Sequence, residues 1–189
     1  MSDPDPSPTG TQSLGPLSGD VPSAWRCGLL TKGERVGRFD VERCLGGGAM
    51  GEVYLARDSE LDRLVALKVI RPERLQGAKE RERFAREALR TPRVSHPKIV
   101  HFYGVGEHRG LPFLVLEHIA GQTLADGLAE RTLTPAEIHD VAVALAAALA
   151  EAHRNDVLHL DLKPANVIVG HDGVVRVLDF GLARQLTRE

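Results

Sequence analysis

The stretch LGGGAMGEVYLA carries the spacing Gly46-x-Gly48-x-x-Gly51, and the segments on both sides of it alternate between apolar and polar residues. FDVERCL alternates at Phe39, Val41 and Leu45, and EVYLARD alternates again at Val53 and Leu55. Such alternation marks a half-buried strand. Glycines caught between two strands exclude two other uses of this spacing. A dinucleotide-binding turn needs a helix directly after the glycines, so that its N-terminus faces the pyrophosphate. A Walker-type loop ends in Gly-Lys-Ser/Thr, and this one does not. Two readings remain: a hairpin whose bare backbone lies over phosphates, where side chains would collide, or an ordinary glycine-rich turn.

Further strands follow in LVALKVI, HFYGVGEH and LPFLVLEH. Between them, KERERFAREALR is charged and helix-favouring, with Phe84 and Ala88 on one face. A longer helix is predicted in TPAEIHDVAVALAAALAEAHRND. Thr134 is its N-cap, Pro135 takes the first helical position, Glu137 completes a capping box, and Asn155 and Asp156 end it. This helix is apolar on nearly every side, through Ile138, Val141, Ala142, Val143, Leu145, Ala148, Leu149 and Ala152, and so expects neighbours all round. VIV and VVRVL flank the turn pair Asp172-Gly173 and form a short hairpin. The fold class is α+β: a five-stranded antiparallel sheet with one helix, followed by a helical part.

Residues 1–35 read as a disordered Pro/Ser/Gly-rich leader, too poor in apolar residues to offset its ordering entropy. Trp25 and Leu29-Leu30 are its only candidates for docking on the folded part. The whole chain, at 189 residues and 42% apolar, can bury a core, and a net charge of -2 does not point to nucleic acid. Cys27 and Cys44 read as isolated thiols of a reduced, cytoplasmic protein, without the companions that a zinc site needs. The most apolar run, VAVALAAALA, falls short of the roughly 20 residues that span a bilayer, and no secretory signal opens the chain.

Lys68 sits inside the apolar strand VALKVI, with Ala66 and Ile70 on its face. A buried ammonium needs pairing, so Lys68 is either a lysine snorkelling to water or a cation aimed at phosphates and held by a carboxylate. Glu87 is the preferred partner, with Glu80 and Glu82 as rivals from the same helix. Downstream, HLDLKPANV brings Asp161, Lys163 and Asn166 into one loop, where Pro164 discourages a continuing helix. Phosphoryl transfer needs these types: a carboxylate for the substrate hydroxyl, an ammonium for the moving phosphate, an amide oxygen for a hard metal ion. Asp179 offers a second oxygen ligand.

From about Phe39 to its end the chain resembles the eukaryotic-type serine/threonine protein kinases, and GGGAMGEVYLA is similar in style to their bacterial branch. The resemblance implies a kinase N-lobe over 36–119 and the first part of a helical C-lobe over 120–189. It implies that Gly46, Gly48 and Gly51 cover ATP, that Lys68 binds its phosphates, and that Glu87 pairs with Lys68. Leu45, Val53 and Ala66 go with them to the nucleotide site, Leu116 to the back of the adenine pocket, and Glu117 to Ile119 to the hinge strand. Asp161 becomes the proton acceptor and Lys163 the γ-phosphate contact, while Asn166 and Asp179 hold magnesium. DLKPAN resembles the serine/threonine rather than the tyrosine branch.

Three departures stand beside the resemblance. Leu160 occupies a slot where the family has Arg, so any activity is expected not to depend on a phosphate held there. His159 beside it is read as a structural hydrogen-bonder rather than a base. Thr91-Pro92 is expected to end or kink the helix carrying Glu87. The chain also stops soon after Asp179-Phe180-Gly181, where the family continues, so a completing C-terminal segment is expected as a partner besides a protein substrate. The expectation is a protein serine/threonine kinase using ATP and magnesium. The alternative is an ATP-binding, kinase-like fragment or pseudokinase without activity of its own.

Overall fold

The computed structural model describes residues 27–71, 73, 75, 77 and 94–178. Strands β1 (Arg35–Val36), β2 (Phe39–Gly47), β3 (Gly51–Asp58), β4 (Arg63–Ile70), β5 (Phe102–His108) and β6 (Leu111–Glu117) form one antiparallel sheet in the order β1-β2-β3-β4-β6-β5. The five expected strands are β2 to β6. The sheet has six because Arg35–Val36 turns back on β2 through Gly37, whose φ of +59° suits glycine. Two residues carry no alternation, so the sequence reading passed over them. The helix expected over KERERFAREALR, with Glu80, Glu82, Glu87 and Thr91-Pro92, lies outside the described residues.

Alternation along β4 divides the core. Val65, Leu67 and Val69 face a cluster that includes Phe39, Val41, Tyr54, Ala56, Phe113 and Val115. Ala66 and Ile70 face the other way, into a cluster with Leu114, Leu116 and Val100. Leu67 and Leu114 are fully buried, one on each side, so both faces of the central strands are covered. Phe39 meets Phe113 edge to face at 6.2 Å.

Residues 27–34 fall within the expected leader, yet they pack as a strap against the first cluster. Leu30 is buried and donates its amide to the Tyr54 hydroxyl at 3.0 Å. The amides of Gly28 and Leu29 both donate to the Glu52 carboxylate at 2.9 Å. The docking candidate Leu29-Leu30 thus docks, while Trp25 lies outside the described residues. The reading of Cys27 and Cys44 as isolated is corrected too. The strap folds back on β2, places their Cα atoms 6.3 Å apart and brings their sulfurs together as a disulfide.

The second part starts with β7 (Gly121–Thr123), which pairs with β8 (Val167–Gly170) and β9 (Val175–Val177) in the order β7-β8-β9. β8 and β9 are the hairpin expected around Asp172-Gly173. Helices α1 (Leu124–Glu130) and α2 (Pro135–Arg154) lie between β7 and β8 in sequence. The capping box of α2 forms as expected: the Thr134 hydroxyl accepts from the Glu137 amide, and the Glu137 carboxylate accepts from the Thr134 amide at 2.8 Å. The buried face of α2 is Ala144, Ala148 and Ala152, set on Ile99, Val175 and Val177. Its apolar character continues outward, where Ile138 and Val143 are more than half exposed. Among the described residues no helix is long and apolar enough to cross a membrane.

Candidate active site

The glycine hairpin forms where β2 and β3 part. Their ladder ends at Gly47 opposite Glu52, and the Gly48 amide closes the turn on the Gly51 carbonyl at 2.8 Å. Arg71, just after β4, grips it from below. Its Nε donates to the Gly48 carbonyl at 3.1 Å and its Nη2 reaches Glu52 at 3.0 Å. The three glycines differ in kind. A Cβ at Gly51 would lie 2.1 Å from the Val69 carbonyl oxygen, so β4 itself demands glycine there. A Cβ at Gly46 or Gly48 would meet nothing within 4 Å. No contact among the described residues requires glycine at these two positions, and the space beside them suits something that packs against bare backbone.

Beneath the hairpin, Leu45, Val53, Ala66, Leu116 and Ile119 share one apolar cluster with Ile70, Leu114 and Leu178. Five residues assigned separately from the sequence therefore meet in one place. Lys68 lies on the same face of β4 as Ala66 and Ile70, opposite Val53 on β3 and Leu114 on β6. Glu117 is tied at both ends to His101: its amide donates to the His101 carbonyl, and its carboxylate accepts from the His101 amide at 3.1 Å. These bonds fix the start of the segment Glu117 to Ile119. His118, between them, was passed over in the sequence. Burial, with Arg43 nearby, lowers its pKa and favours the neutral imidazole.

In the loop before β8, the side chains of Asp161, Lys163 and Asn166 form one cluster. Lys163 Nζ meets Asp161 Oδ2 at 2.7 Å. Asn166 Nδ2 donates to the Asp161 carbonyl at 2.8 Å and to its Oδ2 at 3.2 Å. Both partners are acceptors, so the amide nitrogen must face them, and the amide's other end is an acceptor oxygen. The hydrogen bond and charge of Lys163, helped by Asn166, hold the Asp161 carboxyl below its ordinary pKa. Asp161 is therefore a carboxylate near neutral pH, able to accept a hydroxyl proton but a weak base at rest.

His159 is buried beneath this cluster. Its Nε2 lies 2.7 Å from the Leu178 carbonyl, which can only accept, so Nε2 carries the proton. Its Nδ1 then accepts from the Asp161 amide at 3.3 Å. Both ring nitrogens are engaged with backbone, which agrees with the structural role expected for it. Leu160, between them, has a φ of +62° and turns its side chain outward, 61% exposed. The Asp161 amide also donates to the His159 carbonyl at 2.9 Å, which makes Leu160 the centre of a γ-turn, a strained conformation at a non-glycine residue.

Leu178, expected in the last strand, lies just past β9 and joins the two halves. Its side chain packs against the apolar cluster under the glycine hairpin. Its amide donates to the Asn166 carbonyl at 2.9 Å, and its carbonyl receives His159. Asp179 follows it in sequence, and with Glu87 lies outside the described residues. Among the described residues no group of three or more His, Cys, Asp or Glu could hold a metal ion. Of the two residues expected to hold magnesium, Asn166 lies among the described residues, and its hard amide oxygen suits magnesium better than a thiophilic metal. Gly46 and Gly48 border open space, and Leu45 and Val53 next to the hairpin join the apolar cluster.

Residues 39–189 match the protein kinase domain family. The serine/threonine-protein kinase PrkC of Bacillus subtilis is 38% identical over 157 residues, covering 82% of this chain and 24% of that protein. PknB of Mycobacterium tuberculosis, also a serine/threonine-protein kinase, is 38% identical over 154 residues, covering 79% of this chain and 25% of that protein. The crystal structure of the M. tuberculosis PknI kinase domain superposes with a TM-score of 0.71 at 32% identity, over 81% of this chain and 62% of that one. The chain spans about a quarter of the length of these curated relatives.

Proposed function

The chain belongs to the protein kinase family, and we propose that it binds ATP with magnesium and carries the residues for transferring the γ-phosphate to a serine or threonine hydroxyl of a protein. The observation that carries this reading is the linkage through Leu178 of the apolar cluster beneath the glycine hairpin to the hydrogen-bonded Asp161, Lys163 and Asn166. The named relatives are bacterial serine/threonine-protein kinases, which supports the hydroxyl as acceptor.

In this reading residues 36–119, with 27–35 packed on them as strap and first strand, are the nucleotide lobe and 120–189 part of the helical lobe. ATP supplies the phosphoryl group, and magnesium neutralises charge on its phosphates. Gly46 and Gly48 leave room for the phosphates, while Gly51 keeps the hairpin close to β4. Leu45, Val53, Ala66 and Leu116 enclose the base, and the backbone of Glu117 to Ile119 hydrogen-bonds its edge. Lys68 offers its ammonium to the α- and β-phosphates, with Glu87 as the carboxylate that positions it. Asn166 and Asp179 supply oxygen ligands to magnesium. Asp161 orients the substrate hydroxyl and takes its proton at a carboxylate oxygen. A carboxylate with a lowered pKa does this late, as the hydroxyl acidifies on attack. Lys163, already beside Asp161, offsets negative charge on the moving phosphate. Leu160 presents no cation, so no phosphate on the chain is needed there to organise the loop.

The experiment is thermal melting of the 189-residue protein titrated with ATP, with and without magnesium. Ligand at a hundred times its dissociation constant stabilises the folded state by about 2.7 kcal/mol, so a magnesium-dependent rise in melting temperature is expected. Lys68→Met should lose most of that rise. Asp161→Asn should keep it while losing phosphate transfer to a generic basic protein. A melt indifferent to ATP would sink the reading. Binding without transfer in the unaltered chain would favour the alternative, a nucleotide-binding module.

A further inference from the structure

The strap of residues 27–34 touches the glycine hairpin from both of its roots. On the incoming side, Cys44 lies in β2 opposite Tyr54, just before Gly46, where the register with β3 shifts. Cys27 Sγ lies 3.6 Å from the Gly46 carbonyl oxygen. On the outgoing side, Gly28 and Leu29 donate to Glu52, the first residue after Gly51. Glu52 is buried, and Arg71 carries its charge on to the Gly48 carbonyl. Cys27 and Cys44 have Cα atoms 6.3 Å apart, within the span that a disulfide bridges without backbone movement. Both are half-buried, so small oxidants reach them.

We propose that Cys27 and Cys44 are an oxidative modification site: a reversible disulfide that latches the strap to the root of the glycine hairpin and so sets the mobility of that hairpin. The oxidant class is a peroxide. With hydrogen peroxide, one thiolate sulfur attacks a peroxide oxygen and, with a proton, gives a sulfenic acid and one water. The second sulfur attacks the sulfenic sulfur, the S–O bond breaks, and the oxygen leaves as a second water with the proton of the second thiol. The two sulfurs lose two electrons in total, and the peroxide gains them. A dithiol reverses the bond by exchange. Where thiols are normally kept reduced, disulfides that do form are usually transient and serve sensing, which fits a half-buried bond at the root of the glycine hairpin.

The consequence for nucleotide rests on reading that hairpin as the ATP cover, so the test reads the latch without ATP first. The full 189-residue chain is treated with hydrogen peroxide or with a dithiol, mapped by non-reducing peptide mass spectrometry, and followed by amide hydrogen exchange. Oxidation should yield a monomeric species with Cys27 joined to Cys44, reversed by the dithiol. Exchange in peptides covering 27–30 and 46–51 should slow about tenfold, since the latch removes local openings. Cys27→Ser, an alteration in the strap alone, should abolish both effects, and Cys44→Ser should do the same from the other side. Cross-links only between molecules, or a Cys27–Cys44 bond that leaves exchange unchanged, would overturn the proposal. ATP titration of both forms is the separate arm. Absence of binding in either form would remove the nucleotide reading while the latch stood on its exchange data.

Discussion

A methyl group at Gly51 would sit 2.1 Å from the Val69 carbonyl oxygen, whereas one at Gly48 would meet nothing within 4 Å. The same residue type therefore answers to backbone approach at one position and to vacant space at the other. Gly51→Ala must push β3 away from β4, and overpacking of this kind costs about 1–3 kcal/mol. Gly48→Ala should leave stability within about 0.5 kcal/mol. If Gly48 borders the phosphates, its alanine variant should still weaken ATP about tenfold, which is about 1.4 kcal/mol of binding. Urea unfolding and ATP titration of the two variants check this crossover. Equal loss of stability in both would mean that Gly48 also serves the fold. None of this distinction could be read from Gly-x-Gly-x-x-Gly, because spacing does not say which glycine faces backbone and which faces space.

At the scale of elements, β2 and β3 are legible from alternation, whereas β4 and β6, covered on both faces, are legible as short runs of apolar residues. The cap of α2 was legible from Thr134, Pro135 and Glu137, since a capping box is a local reaction of side chain with backbone. The strap was not. Leu29-Leu30 offers itself as a docking pair, but its anchors, Glu52 and Tyr54, lie in β3, and Gly-Leu-Leu gives no sign that its backbone amides meet a buried carboxylate. Glu52 receives the Gly28 and Leu29 amides, the Tyr54 hydroxyl and Arg71. Burial alone would raise its pKa, but these donors outweigh burial and lower it below 4.5. The same contact, with burial as the larger cause, pushes the Tyr54 hydroxyl up to about 12. A carboxyl whose pKa falls on folding adds stability above its unfolded value, and that stability is lost as pH drops through the folded value. Glu52→Gln should therefore cost about 3 kcal/mol at neutral pH, where it breaks a buried pair. The gap between the two proteins should narrow below about pH 4.5. Urea unfolding at a series of acid pH values measures that gap, and a constant gap would mean that Glu52 does not carry its charge in the fold.

Across the whole molecule, exposed apolar side chains are unevenly spread. Among the described residues only Leu61 and Leu64 stand out from the six-stranded sheet, whereas Leu128, Ile138, Val143, Leu158, Leu160 and Leu162 stand out from the second part. The sheet is covered on both faces, while α2 sets one alanine stripe on β9 and Ile99 and leaves larger side chains outward. Exposed apolar surface lowers its free energy by association. The 189-residue chain should therefore self-associate with rising concentration, through the second part. Ile138→Glu together with Val143→Lys tests this with little risk to the fold. Glutamate near the start of a helix suits its dipole, and lysine is a better helix former than valine. Light scattering behind a sizing column should report a smaller apparent mass for the double variant, with melting temperature unchanged. A chain that stays monomeric up to its solubility limit, or a variant that associates as strongly as its parent, would locate the sticking surface elsewhere. The ATP-induced rise in melting should persist in the variant, because neither position belongs to the apolar cluster beneath the glycine hairpin.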